Sequence, residues 1–372
     1  MKAYNVISAD DHVQEPGDTW VKRVPAKLRD RAPRMERGPD GDAWVIDGKR
    51  GRTIGMEAQG GKKFEDYRSS GETYETIRKG AWDPNERLKD MDLDGVDAQV
   101  LYPNSGSMGF MMDDLELQLA CLRAYNDFLS EFASTDPTRL VGIGLVPTDD
   151  IAVGVEEIKR IAKLPGLRGA MLPTYPRGEP LNSDLYDPMW AAAQDLGIPV
   201  HIHLRTGDRR TAGLFQANQE HLHGDVPALL NVASLANYEA LSKIIFGGVL
   251  ERFPRLKFVS VEGNIGWIGY FLEKSDRTYK RHRHWTRLDL PKPPSEYFHR
   301  QVYATFIEDK VGMMIRHVIG VDNLMWSSDY PHTDTTFPNS RKYIEETFEG
   351  VPAEDRHKIV AGNAAKLYGL AG

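Results

Sequence analysis

The chain has 372 residues, longer than most single domains but within reach of one eight-stranded α/β barrel with insertions. Its 54 acidic against 47 basic residues give a net charge of −7, which excludes nucleic acid as the main partner, because neutralising phosphates needs a basic surface. The single cysteine, Cys121, excludes an intrachain disulfide and a cysteine-built zinc cage. No apolar leader opens the chain and no apolar run is long enough to span a bilayer, so the expectation is a cytoplasmic protein with no membrane partner.

Short apolar runs alternate with amphipathic stretches, the pattern of repeated βα units. Strands are predicted at residues 4–8, 98–102, 141–146, 169–172, 198–204, 257–261, 302–306 and 324–328. After the first of them, residues 36–82 are rich in glycine and charge, and Ala43-Trp44-Val45-Ile46 followed by Asp47-Gly48 predicts a small hairpin. Asp83-Pro84 opens a helix that ends before Gly95, and Leu115, Leu119, Leu122, Tyr125, Phe128, Leu129 and Phe132 recur at helical spacing over 115–132. Asp225-Val226-Pro227 opens another helix, running to about Ile244. The fold class is therefore α/β, a single (β/α)8 TIM barrel over 1–372 with an insertion after its first strand. Loops that follow barrel strands emerge on the catalytic face, so the insertion is a lid, a contact in a homo- or hetero-oligomer, or a solvated flap.

Chemistry gathers where the predicted strands end. Residues two apart in extended chain face the same way, so Asp10 and His12 converge while Asp11 points elsewhere. A carboxylate and an imidazole together suit a divalent metal, although a turn or cap is the competing use of such a pair. The fifth strand repeats the device with His201 and His203, of which His203 lies nearer the barrel mouth and His201 a layer deeper. Asp329 follows the last strand, and Pro331 disfavours an immediate helix for it to cap. The sixth strand ends at Glu262-Gly263, which brings a further carboxylate to the same cavity or a partner to a buried ion pair.

Asp10-x-His12, His203 and the segment Ser328-Asp329-Tyr330-Pro331-His332 resemble the amidohydrolase superfamily, in particular its branch related to aminocarboxymuconate-semialdehyde decarboxylase. The run from Arg87 to Val96 and the closing Gly362-Asn363-Ala364-Ala365-Lys366-Leu367-Tyr368 extend the likeness over nearly the whole chain. The resemblance implies metal ligands at Asp10, His12, His203 and Asp329, the residues the strand argument selects. It also marks a departure, because decarboxylases of the branch carry a histidine at the end of strand six where this chain has Glu262.

The expected activity is that of a metal-dependent hydrolase or decarboxylase acting on a small carboxylated or aromatic molecule. A divalent ion (Zn, Mn or Fe), alone or as one of two, activates water or polarises the substrate, with Asp329 and Glu262 moving protons. Arg205, Arg209 and Arg210 follow the histidine strand and offer forks for a substrate carboxylate, or are simply solvated. One alternative is an oxygen-activating hydroxylase with two iron or manganese ions, drawing extra ligands from Glu262, His201 or His332. Another is a catalytically silent binding or scaffold subunit.

Overall fold

The computed structural model of the chain describes residues 4–209 and 224–370; Arg210 lies outside them. In chain order its strands are β1 (Ile7–Val13), then β2 (Arg34–Gly38), β3 (Gly41–Ile46) and β4 (Lys49–Thr53) of the insertion. The remaining strands are β5 (Ala98–Pro103), β6 (Leu140–Leu145), β7 (Leu167–Leu172), β8 (Val200–His203), β9 (Phe258–Val261), β10 (Val302–Phe306) and β11 (Leu324–Trp326). β1 and β5 to β11 form one sheet in that order, parallel at every pair. With helices in the connections, this is the (β/α)8 barrel. Its strands read as near-continuous apolar runs because both faces are covered, the inner by the barrel core and the outer by helices.

The first strand departs from expectation. It starts at Ile7 and runs through Asp10 and His12 to Val13, every residue buried, rather than ending at Ser8. Polar residues disguise it, since they belong to the strand's inward face at the barrel mouth. One extra residue bulges between Ser8 and Asp11 against β5, which re-aims the side chains that follow.

The seam between β11 and β1 is closed beyond the end of β11, where the Asp329 N–H donates to Asp10 O (2.9 Å) and the His12 N–H to Tyr330 O (2.7 Å). Side chains complete it. The Ser328 N–H donates to Ser8 Oγ (2.7 Å), and the Asp11 carboxylate accepts from Ser328 Oγ and from the Tyr330 N–H (2.9 Å).

Helix α1 (Pro84–Asp94) begins as predicted: Asp83 accepts from the Asn85 and Glu86 N–H groups, and Pro84 fills the first position, where no N–H is needed. It stops at Gly95, whose φ of 75° suits glycine, and a Cβ there would lie 2.0 Å from Arg341 Nε. Helix α2 (Leu115–Ala133) is capped by Asp114 and lays Leu122, Tyr125 and Leu129 against the barrel. The predicted helix from Asp225 is two, α3 (Asp225–Val232) and α4 (Leu235–Phe246). α3 has no buried residue, whereas α4 packs Leu241 and Ile244 into the core.

The insertion forms its own antiparallel sheet, ordered β2-β3-β4, one strand more than a hairpin. Trp44 of β3 meets Trp20 edge to face at 4.8 Å, and with Leu28, Ile54, Leu117 and Cys121 they make a second small core that fastens the insertion to α2. No helix among the described residues is long and apolar enough to cross a membrane.

Candidate metal centre

Four strand ends deliver the polar side chains. Glu262 (φ 58°) and Asp329 (φ 55°) sit just past β9 and β11 in left-handed backbone, as does Leu204 (φ 31°) past β8. Non-glycine residues seldom adopt that conformation, and it recurs at functional sites. Here it turns the chain sharply while leaving both carboxylates on the cavity wall.

Asp10, His12 and His203 converge in one group, and Asp329 joins His12 and His332 in a second group that overlaps it. His12 Nε2 lies 3.6 Å from Asp10 Oδ1 and 3.4 Å from Asp329 Oδ1, and His203 Nε2 lies 3.5 Å from Asp10 Oδ1. Both Asp10 oxygens, His12 Nε2, His203 Nε2 and Asp329 Oδ2 are buried with no hydrogen-bond partner among the described residues, and Asp329 Oδ1 has, beyond His12, only the ion-pair contact with His332. Leaving so many buried polar atoms unsatisfied is costly unless something charged sits between them. Donors held about 2 Å from a single ion lie roughly 3–3.5 Å from one another, so the spacing and the nitrogen-and-oxygen chemistry both fit a divalent cation. Burial, with the charge of Asp10 beside it, pushes the Asp329 carboxyl well above the ordinary carboxylate range. Burial and the neighbouring His332 and His203 hold His12 well below the usual imidazole value, so it presents a neutral lone pair.

The far side of each ring is fixed. His12 Nδ1 faces Pro103 O at 2.9 Å, which directs Nε2 at the carboxylates. His203 Nδ1 faces Glu262 Oε2 at 3.4 Å. Burial resists the charged form of His203, but the Asp10 carboxylate outweighs it and raises the ring's basicity. The Glu262 side chain is 23% exposed, and partial burial together with the charge of Asp329 pushes it up to about 8.

His332 stacks on His12 at 3.9 Å, with Nδ1 3.0 Å from Asp329 Oδ1 and Nε2 2.6 Å from Asn104 Oδ1. Among the described residues it is the one further histidine placed to join the cluster. His201 is not: Nε2 faces the Tyr368 hydroxyl at 3.0 Å and Nδ1 faces Ala170 O, a layer below the site. Burial lowers it to about 3, and with its ring nitrogens facing Tyr368 and Ala170 it is not in the donor groups found among the described residues. Arg205 Nη2 is paired with Asp208 while its buried Nε has no partner among the described residues, and Arg209 donates to Asp113 (3.0 Å) and Met111 O (2.9 Å).

Sequence reasoning missed Asn104 and Glu57. Asn104 follows β5, donates to Gln14 Oε1 (2.9 Å) and to Glu57 O (3.3 Å), and accepts from His332. Its position after a barrel strand is the signal that would have found it. Glu57 is carried by the insertion, buried, and lines the cavity beside His12; nothing in its local sequence distinguishes it.

The cavity above the cluster holds about 440 Å³, with Glu262, Asn264, Asp329, His332 and Asp334 on its polar side and Met56, Met171 and Ile307 among its apolar walls. A family model described as amidohydrolase matches residues 53–370. The gamma-resorcylate decarboxylase of Polaromonas sp. is 26% identical over 300 residues, covering 77% of this chain and 87% of that protein. The 2-amino-3-carboxymuconate-6-semialdehyde decarboxylase of Dictyostelium discoideum is 23% identical over 305 residues, covering 81% and 80%. Among solved structures, the 5-carboxyvanillate decarboxylase of Novosphingobium aromaticivorans, complexed with manganese and 4-hydroxy-3-methoxy-5-nitrobenzoic acid, superposes with a TM-score of 0.69 at 19% identity over 99% of this chain and 96% of that one.

Proposed function

The chain belongs to the amidohydrolase family, and from that premise we propose that it is a divalent-metal-dependent decarboxylase of a small aromatic carboxylate, with Asp10, His12, His203 and Asp329 as ligands. The observation that supports this reading is the run of buried donor atoms from His203 through Asp10 and His12 to Asp329, spaced 3.4–3.6 Å and mostly without a hydrogen-bond partner among the described residues. The relatives named above, decarboxylases of small carboxylates, favour it over hydrolysis and over a silent subunit, and the related manganese complex makes manganese the first ion to test. When bound, a divalent ion supplies Lewis-acid polarisation of a substrate oxygen.

The chain's own residues do the rest. Asp10 and Asp329 supply the negative charge that holds a cation, and Pro103 O fixes the His12 ring. Decarboxylation breaks the bond between the ring carbon and its carboxyl carbon, carbon dioxide leaves, and the ring carbon takes a proton. Glu262, on the cavity wall beside His203, is the group placed to give that proton and regain it from solvent.

A two-ion oxidative reading draws on a second donor set, His12, Asp329 and His332, within 4.8 Å of one another. The Asn104 contact fixes His332 Nε2 much as Pro103 O fixes the far side of His12, and leaves Nδ1 facing Asp329, so the number of ions has to be measured. Elemental analysis and headspace gas measurement on manganese-loaded protein with dihydroxybenzoates decide between them. One ion per chain with carbon dioxide release supports the proposal, whereas two ions with oxygen consumption, or binding without turnover, overturns it.

A further inference from the structure

A second and larger cavity of about 890 Å³ adjoins the first. The two share Ser107, His203, Leu204, Thr206, Leu230 and Ala233, so they are compartments of one space that meet at the metal-facing histidine. Their walls differ in chemistry. The inner compartment carries the carboxylates and histidines. The apolar lining of the outer one comes from Met108, Met111 and Met112, from Leu229 and Leu230 of α3, and from Trp44 and Ile46 of the insertion.

Most of the charged residues in its lining are already matched, Arg31 with Asp47 and Asp114, Arg50 with Asp40, Asp113 with Arg209, and Arg205 Nη2 with Asp208, although Arg205 Nε is buried without a partner among the described residues. They therefore present little demand for a charged ligand there. Methionine walls are unbranched and polarisable, and they adapt to apolar guests of varied shape. α3 adds an independent observation. It is rich in apolar residues yet buries none of them, and Leu230, 54% exposed, stands where the two compartments join. An apolar helix face directed at a cavity instead of the core is a surface for an apolar guest.

We propose that the substrate is an aromatic carboxylate bearing an extended apolar substituent, a medium alkyl chain or a second ring system. Its carboxylated ring occupies the inner compartment and its substituent lies along Met108, Met111, Met112, Leu229 and Leu230. The inference deepens the decarboxylase reading of the same site and rests on it for the position of the ring. A single-ring benzoate fills only the inner compartment and leaves the methionine wall unused.

The test compares two probes on manganese-loaded full-length protein, 2,4-dihydroxy-6-methylbenzoate and 2,4-dihydroxy-6-heptylbenzoate. Affinity is read by equilibrium dialysis and carbon dioxide release in parallel. The heptyl probe is expected to bind at least about tenfold more tightly, a conservative figure for six added methylenes in an apolar pocket. Two variants change the outer wall: Met111→Trp fills it, and Leu229→Asp charges a helix that has no buried side chain and so leaves the fold intact. In both, the affinity ratio between the probes is expected to fall toward one.

Equal affinity of the two probes for the unaltered protein, or a ratio that neither variant changes, overturns the inference. So does failure of both probes to bind. Preference for the heptyl probe that the variants abolish, without carbon dioxide release, upholds the compartment and refutes the decarboxylase reading. If Leu229→Asp instead dissociates a dimer seen by sedimentation and leaves probe binding unchanged, the apolar face is covered by a second copy and the inference fails.

Discussion

Glu262→Gln keeps the size and hydrogen-bonding shape of the side chain and removes its exchangeable proton. As a proton donor, Glu262 predicts a fall in turnover of roughly 10²–10⁴ with manganese content unchanged, measured by elemental analysis alongside single-turnover kinetics. Loss of metal from this variant would make it a ligand instead. Asp10→Asn withdraws one of the charges facing His12 and His203, and its expected outcome is protein that purifies folded but with little bound manganese. Full occupancy would remove Asp10 from the ligand set. Glu15 offers a test away from the ligands. It is fully buried, accepts from the Ser105 and Gly106 N–H groups, and burial pushes its carboxyl from 4.5 up to about 8. A raised acid holds its proton better in the folded state, so this contribution to stability is complete below about 4.5 and is lost as pH rises through about 8. Glu15→Gln should flatten the decline of melting temperature between those values, and an unchanged slope would count against it. At this scale the nearness of Asp10, His12 and His203, and of His12 and Asp329, was legible because strand alternation and barrel position fix where such side chains point. His201 lies on the same face of the same strand as His203, and depth along the barrel, which spacing does not encode, separates them. Glu57 was illegible because only tertiary folding of the insertion brings it to the cavity.

Elements were legible where a stop or start signal is local. Asp83-Pro84 and Gly95 bounded α1 to the residue, and eight apolar runs located the eight barrel strands. Signals failed where tertiary partners rule. The polar inward face of β1 hid its second half, and an unbroken apolar pattern concealed the break between α3 and α4. The stretch from Arg87 to Gly95, noted at first only as a likeness, acquires a mechanical role. Arg87 is fully buried, donates to Gly80 O, His12 O and Gln99 Oε1, and lies 4.6 Å from the centre of the Tyr330 ring. Asp90 accepts from Arg78 and the Tyr330 hydroxyl, and Asp94 from the Ser340 N–H and hydroxyl. One helix thus braces β1 and the segment after β11 together. Arg87→Leu strands several buried acceptors, and chemical denaturation is expected to register a loss on the order of 3 kcal/mol. A loss under about 0.5 kcal/mol, the range of ordinary surface changes, would show that the brace is dispensable.

Across the whole molecule, the site is assembled from residues more than three hundred positions apart, joined only when the barrel closes. The seam that closes it is short of backbone pairing: it relies on two main-chain hydrogen bonds past the end of β11 and on the side chains of Ser8, Asp11 and Ser328. Asp10 and Asp329 belong at once to that seam and to the two donor groups that overlap at His12. A cation bound between them ties the first strand to the last, and a ligand that binds only the folded state at a hundred times its dissociation constant adds about 2.7 kcal/mol of stability. Chelation should therefore lower the melting temperature by several degrees, reversibly on adding manganese; no change would separate the cluster from metal binding. The amide hydrogens of His12, Asp329 and Tyr330 all lie in this closure, and exchange with deuterium needs only a local parting of the two edges. In metal-loaded protein they should be among the slowest to exchange and in stripped protein among the first to quicken, so that the barrel's last join behaves as a clasp whose pin is the ion.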